Sequence, residues 1–86
     1  MEKSELIAKV KEAINLTKEK DFNSAGKIYV ELLKHDKNNP TILSLLGLLY
    51  LNIGKINGAK KLLTKANKLN PNNPTTIEAL GFVMYN

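Results

Sequence analysis

An all-α fold of five helices, arranged as stacked antiparallel helix-turn-helix repeats, is predicted by three features of this 86-residue chain. The tetrapeptide Asn38-Asn39-Pro40-Thr41 recurs thirty-four residues later as Asn72-Asn73-Pro74-Thr75, and Leu46-Gly47 and Ala25 recur at the same interval as Leu80-Gly81 and Ala59. Apolar residues are spaced three and four apart along successive segments, the period of one helix face. No segment alternates polar and apolar residues long enough to form a strand. A unit that cannot bury its own apolar face gains stability by stacking on copies of itself, and the stack makes a surface suited to gripping another chain.

The elements follow in order. Leu6, Ile7, Val10, Ala13, Ile14 and Thr17 share one face of a first helix, with Ser4 as its expected N-cap. Lys18-Glu19-Lys20 leads into Asp21, which caps a second helix carrying Phe22, Ala25, Ile28, Tyr29, Leu32 and Leu33 and ending near His35. Asn39-Pro40 restarts the chain, because asparagine caps a helix and proline suits its first position, where no N–H is required. Gly54 stops the third helix, since glycine accepts the left-handed conformation found there. The fourth helix runs from about Ile56 to Leu69, with Ala59, Leu62, Leu63 and Ala66 inward. Asn70-Pro71 ends it, and Asn73-Pro74 starts a fifth.

The composition is that of an ordinary soluble globular protein, 43% hydrophobic and 24% charged. The absence of cysteine excludes a disulfide framework and a thiolate metal site. The longest apolar stretch, Ile42 to Ile53, is interrupted by Ser44, Gly47 and Asn52 and falls short of the roughly 20 residues that span a bilayer. The acidic N-terminus has no unbroken apolar run behind it, so no signal peptide is expected and a cytoplasmic location is the default.

The inventory for chemistry is poor. The single histidine, His35, sits at a helix end beside Asp36, the carboxylates are dispersed, and no glycine-rich loop follows a strand. No catalysis, metal or cofactor is expected. The net charge of +5 comes from thirteen basic residues that are all lysine, and lysine lacks the planar fork with which arginine reads guanine. The five aromatics do not alternate with lysine, so nucleic acid is not the favoured partner.

These residues resemble the tetratricopeptide repeat family. The stretch 40–73 is similar to one complete repeat, with Leu43, Leu46-Gly47 and Tyr50 in its first helix and Gly54 at the turn. Ala59, Leu63 and Ala66 follow in its second helix, and Pro71 closes it. Leu43 stands where tryptophan is usual and Leu63 where an aromatic is usual, and both keep an apolar group. A first repeat, about 6–39, fits at Phe22, Ala25 and Tyr29 but has Glu12, Leu32 and Lys37 where leucine, a small residue and proline are expected. A half repeat, 74–86, carries Ile77, Leu80-Gly81 and Met84. The resemblance implies a short right-handed α-solenoid in one domain, acting as a non-enzymatic scaffold that binds a protein or peptide in a groove lined by the first helix of each repeat.

Carried onto this chain, the groove residues implied by the resemblance are Ile7, Val10, Ile14, Ser44, Leu48, Leu51, Glu78, Phe82 and Tyr85. Some family members clamp a terminal carboxylate with lysine and asparagine there. Val10 and Ile14 stand where such a clamp would begin and argue for an apolar groove instead. Between Leu43 and Ile53 only Ser44, Gly47 and Asn52 are not large and apolar, which suits a helix packed on its own repeat, on its neighbours and on a partner. Two alternatives stay open. The apolar C-terminal helix, with Ile77, Leu80, Phe82, Val83, Met84 and Tyr85, could pair with another copy as a homo-oligomer. A lysine-rich surface could dock on nucleic acid or anionic lipid.

Overall fold

Two asparagines at equivalent positions start helices in the same way. The Asn39 side-chain oxygen accepts hydrogen bonds from the N–H groups of Thr41 (3.0 Å) and Ile42 (3.2 Å), and that of Asn73 accepts one from Thr75 (3.0 Å). These bonds satisfy donors that have no partner within the helix. The computed structural model describes residues 2–85, with side chains described for residues 2–83. Its five helices are α1 (Lys3–Lys18), α2 (Phe22–His35), α3 (Pro40–Asn52), α4 (Ile56–Leu69) and α5 (Pro74–Tyr85). No strand occurs among the described residues. Each helix packs on the next, and α3 also touches α5, as expected for stacked helical pairs.

The other starts differ. Asp21 caps α2 by accepting from the N–H of Ser24 at 3.3 Å. Lys55 holds the equivalent position before α4 with the same backbone angles, φ −87° and ψ 71°, but its side chain cannot accept. The expected cap of α1 moves: Glu2 is the cap residue, without a side-chain bond, and Ser4 lies inside the helix. The Glu2 carbonyl accepts from the N–H of Leu6 at 3.0 Å, so helical bonding begins ahead of the serine.

Helices α1 and α3 end in one motif. Lys20 (φ 66°) and Gly54 (φ 81°) take the left-handed conformation thirty-four residues apart. The following N–H of Asp21 bonds to the Leu16 carbonyl, and that of Lys55 to the Tyr50 carbonyl, both at 2.8 Å. Shorter loops from Lys20 to Thr17 (3.0 Å) and from Gly54 to Leu51 (3.2 Å) complete the Schellman arrangement. A β-carbon makes that conformation costly, so the lysine bears strain that the glycine avoids. Lys20→Gly is expected to raise stability by about 0.5–1 kcal/mol and Gly54→Lys to lower it by a similar amount, read as opposite shifts in thermal midpoint.

Two buried clusters make up the core. The first joins Ala13 of α1, Ala25, Tyr29 and Leu32 of α2, and Ile42, Leu46 and Leu49 of α3. The second joins Ala59 and Leu63 of α4 with Ala79 and Val83 of α5, and Leu48 and Leu51 of α3 pack against it. Burial pushes the Tyr29 phenol above its ordinary pKa, and a hydrogen bond with Thr17 offsets part of that rise.

Small residues allow the closest approach. A β-carbon at Gly47 would come within 2.7 Å of Cγ and 2.9 Å of Cδ2 of Leu63, which is fully buried. The leucine therefore seats directly on the α3 backbone. At the equivalent position in α1, Ala13 is also fully buried. Gly47→Leu is expected to force α3 from α4 and cost roughly 1–3 kcal/mol or more, measured by denaturant unfolding.

Candidate functional site

The first helices of successive helical pairs, α1, α3 and α5, carry the residues expected in the groove. Ile7 is 46% exposed, while Val10 and Ile14 are half-buried along the same face of α1. Leu48 and Leu51 are half-buried on α3, resting on the second cluster while keeping part of each side chain accessible. On α5, Glu78 is exposed and Phe82 is 57% exposed. The side chain of Tyr85 lies outside the described residues. Ile7 and Val10 meet Leu6, Lys11, Asn39, Thr41 and Ile42 around an open hollow of about 320 Å³ between α1 and the start of α3. Its lining is apolar apart from Lys11, Asn39 and Thr41.

Ser44 does not face open space. It is 3% exposed, and its hydroxyl shares a 2.6 Å hydrogen bond with that of Thr76, which is 1% exposed. A hydroxyl this deeply buried requires a partner, and α5 supplies it. One repeat earlier, the same two positions are Val10 and Ile42, which line one hollow and belong to one apolar cluster. Equivalent positions thus carry alkyl groups around a hollow in one repeat and a bonded pair of hydroxyls in the next. Ser44→Ala alone is expected to cost about 1–3 kcal/mol by stranding the Thr76 hydroxyl, whereas Ser44→Ala combined with Thr76→Val should cost less than the single change. A double-mutant unfolding cycle measures the difference.

A second concavity escaped the sequence reading. Between α2 and the α3–α4 turn lies an open cleft of about 530 Å³, floored by Phe22, Gly26, Leu49 and Tyr50 and flanked by Val30 and Ile53. Val30 (42% exposed) and Ile53 (40% exposed) stand off the helical stripes that build the core. Their phase in the sequence was the available signal. The Lys55 ammonium lies 5.6 Å from the centre of the Tyr50 ring, within cation–π reach.

Reactive groups are dispersed on the surface. His35 Nε2 lies 3.9 Å from Glu31 Oε1 at the exposed end of α2. Among the described residues no three histidine, cysteine or acidic side chains cluster to hold a metal ion. No helix among the described residues is long and apolar enough to cross a membrane.

Comparison with known proteins agrees with this architecture. A family model described as tetratricopeptide repeat matches residues 16–80, most of the chain. The chain belongs to the tetratricopeptide repeat family. Among solved structures it is similar to the second tetratricopeptide repeat domain of Spaghetti (RPAP3) bound to the HSP90 peptide SRMEEVD. The TM-score is 0.86 at 21% identity, with 93% of this chain and 74% of that one covered. No curated protein matches significantly.

Proposed function

We propose that the protein is a non-catalytic interaction scaffold that holds an apolar helix or peptide of a partner along α1, α3 and α5. The supporting observation is the row of accessible apolar groups on these helices. Ile7, Val10 and Ile14 are followed by Leu48 and Leu51, and then by Phe82, on helices that occupy equivalent places in the stack. Family membership supports a protein-binding role, and the structurally similar domain is itself bound to a peptide. That peptide, SRMEEVD, is rich in acids. Here the candidate groove presents alkyl and aromatic groups with Lys11 and Glu78 beside them, which favours a ligand anchored by apolar side chains at helical spacing.

Fluorescence anisotropy with two labelled probes tests this reading, one an amphipathic helical peptide bearing leucines at helical spacing and the other SRMEEVD. The helical probe is expected to bind more tightly. Because Ile7 and Phe82 are exposed, Ile7→Glu with Phe82→Glu should preserve folding and weaken the helical probe at least tenfold, the scale of losing a binding anchor. Tighter binding of the acidic peptide, unaffected by these changes, would overturn the apolar groove.

A second reading, association between copies through α5, is favoured by one observation. Gly47 and Gly81 occupy equivalent positions, yet Leu63 fills the space over Gly47, whereas no described group beyond the helix's own backbone and the adjacent residues comes within 4 Å of a β-carbon built at Gly81. Ile77 on the same helix is 51% exposed. A leucine from another copy would seat at Gly81 as Leu63 seats at Gly47. Sedimentation equilibrium is expected to show reversible dimers at high micromolar concentration that Gly81→Lys abolishes, while a monomer throughout that range would reject this second reading.

A further inference from the structure

The net charge is confined to one part of the chain. Residues 1–36 hold seven lysines and seven acids, whereas residues 37–86 hold six lysines and the single acid Glu78. Four of those lysines, Lys60, Lys61, Lys65 and Lys68, are exposed on α4 and border one shallow surface with Thr64. They form one face, opposite the fully buried Ala59, Leu63 and Ala66.

Helix α2 provides an internal control, because it occupies the equivalent place one repeat earlier. Where α2 has Asp21 and Glu31, α4 has Lys55 and Lys65. Asp21 caps its helix, and Glu31 pairs with Lys34 at 3.8 Å and His35 at 3.9 Å. Among the described residues every ion pair lies on α1 or α2, and none reaches the α4 lysines. Lys61 and Lys65 are one turn apart, and Lys65 and Lys68 are three residues apart, so like charges oppose helix formation. Lys55 adds a cation at the end where the helix dipole disfavours it. Helix α4 forms despite this pattern because its other face is packed against α3 and α5.

We propose that the outer face of α4 docks the protein on a bilayer surface carrying anionic lipid. The chemistry of the face selects that target. Its groups are ammonium ions with Thr64 among them, and α4 contains neither arginine nor an aromatic residue. Protein interfaces are depleted of lysine and centre on buried anchors, which this face lacks. Single-stranded nucleic acid is held by stacking on aromatic rings, and base edges are read by planar forks, and both are missing. From Lys60 to Lys68 the lysines extend about 12 Å along α4 and fan over its outer side, so a broad sheet of headgroups, which flexible lysine stems can reach, suits them better than a narrow groove. The face is separate from the groove residues on α1, α3 and α5, and the inference does not depend on the groove.

Co-sedimentation of the whole chain with vesicles tests this, comparing phosphatidylcholine alone with a mixture containing one-third phosphatidylserine. Binding is expected only to the anionic vesicles, falling steeply between about 50 and about 200 mM salt as screening increases. Lys61→Gln with Lys65→Gln should weaken partitioning about 30-fold, from about fivefold for each lysine at an anionic surface. The same variant should melt at an unchanged or higher temperature, because it removes like-charge repulsion. Lys3→Gln with Lys11→Gln on α1 removes equal charge and should change partitioning much less. Equal binding to both vesicle types, or equal losses in the α1 and α4 variants, would overturn the proposal. Tighter binding to a random-sequence duplex than to anionic vesicles at equal phosphate concentration would also overturn it, assigning the face to nucleic acid.

Discussion

The seat that Gly47 provides for Leu63 sets the distance between the two central helices, and the rest of the stack is built outward from it. A fully buried leucine held against a bare backbone leaves no room for adjustment, because protein interiors are already close-packed. Once α3 and α4 are fixed, Leu48 and Leu51 are carried to the edge of the second cluster, where they are neither fully buried nor fully exposed. Part of each side chain stays accessible on that side.

Equivalent positions between neighbouring repeats carry different chemistry. Between α1 and α3 the junction is aliphatic, with Val10 and Ile42 at corresponding places. Between α3 and α5 it is the buried Ser44–Thr76 hydrogen bond. A hydroxyl pair is more demanding than an alkyl pair, because each member depends on the other for a partner. It therefore fixes the register of α5 on α3 more strictly than two methyl-bearing side chains could.

Much of this was legible in the residues. The thirty-four-residue recurrence located the helices, the asparagine caps and the left-handed stop at Gly54, because each rests on local chemistry that a few residues determine. Lys20 was not recognised as the same stop, since only tertiary context holds a lysine there against its preference. Ser44 was placed in the groove by the resemblance, and its helical phase matches that of Leu48 and Leu51. Phase gives the direction of a side chain but not what stands in front of it, and Thr76 arrives from thirty-two residues away. The cleft beside Val30 and Ile53 was missed for a similar reason, as residues off the core stripe become a site only when a neighbouring turn approaches them. The lysine face was visible as composition, but its segregation onto α4 emerges only when α2 is laid over it.

Helix α3 contributes to both core clusters, and the Tyr50 side chain packs against each of them. The molecule is thus a short one-dimensional lattice with a single shared site, in which the outer helices can open separately while α3 remains clamped from the other side. Amide hydrogen exchange is expected to be slowest in α3, where exposure requires both clusters to dissolve. Leu48 and Leu51, the central residues of the proposed groove, therefore sit on the helix that both clusters hold.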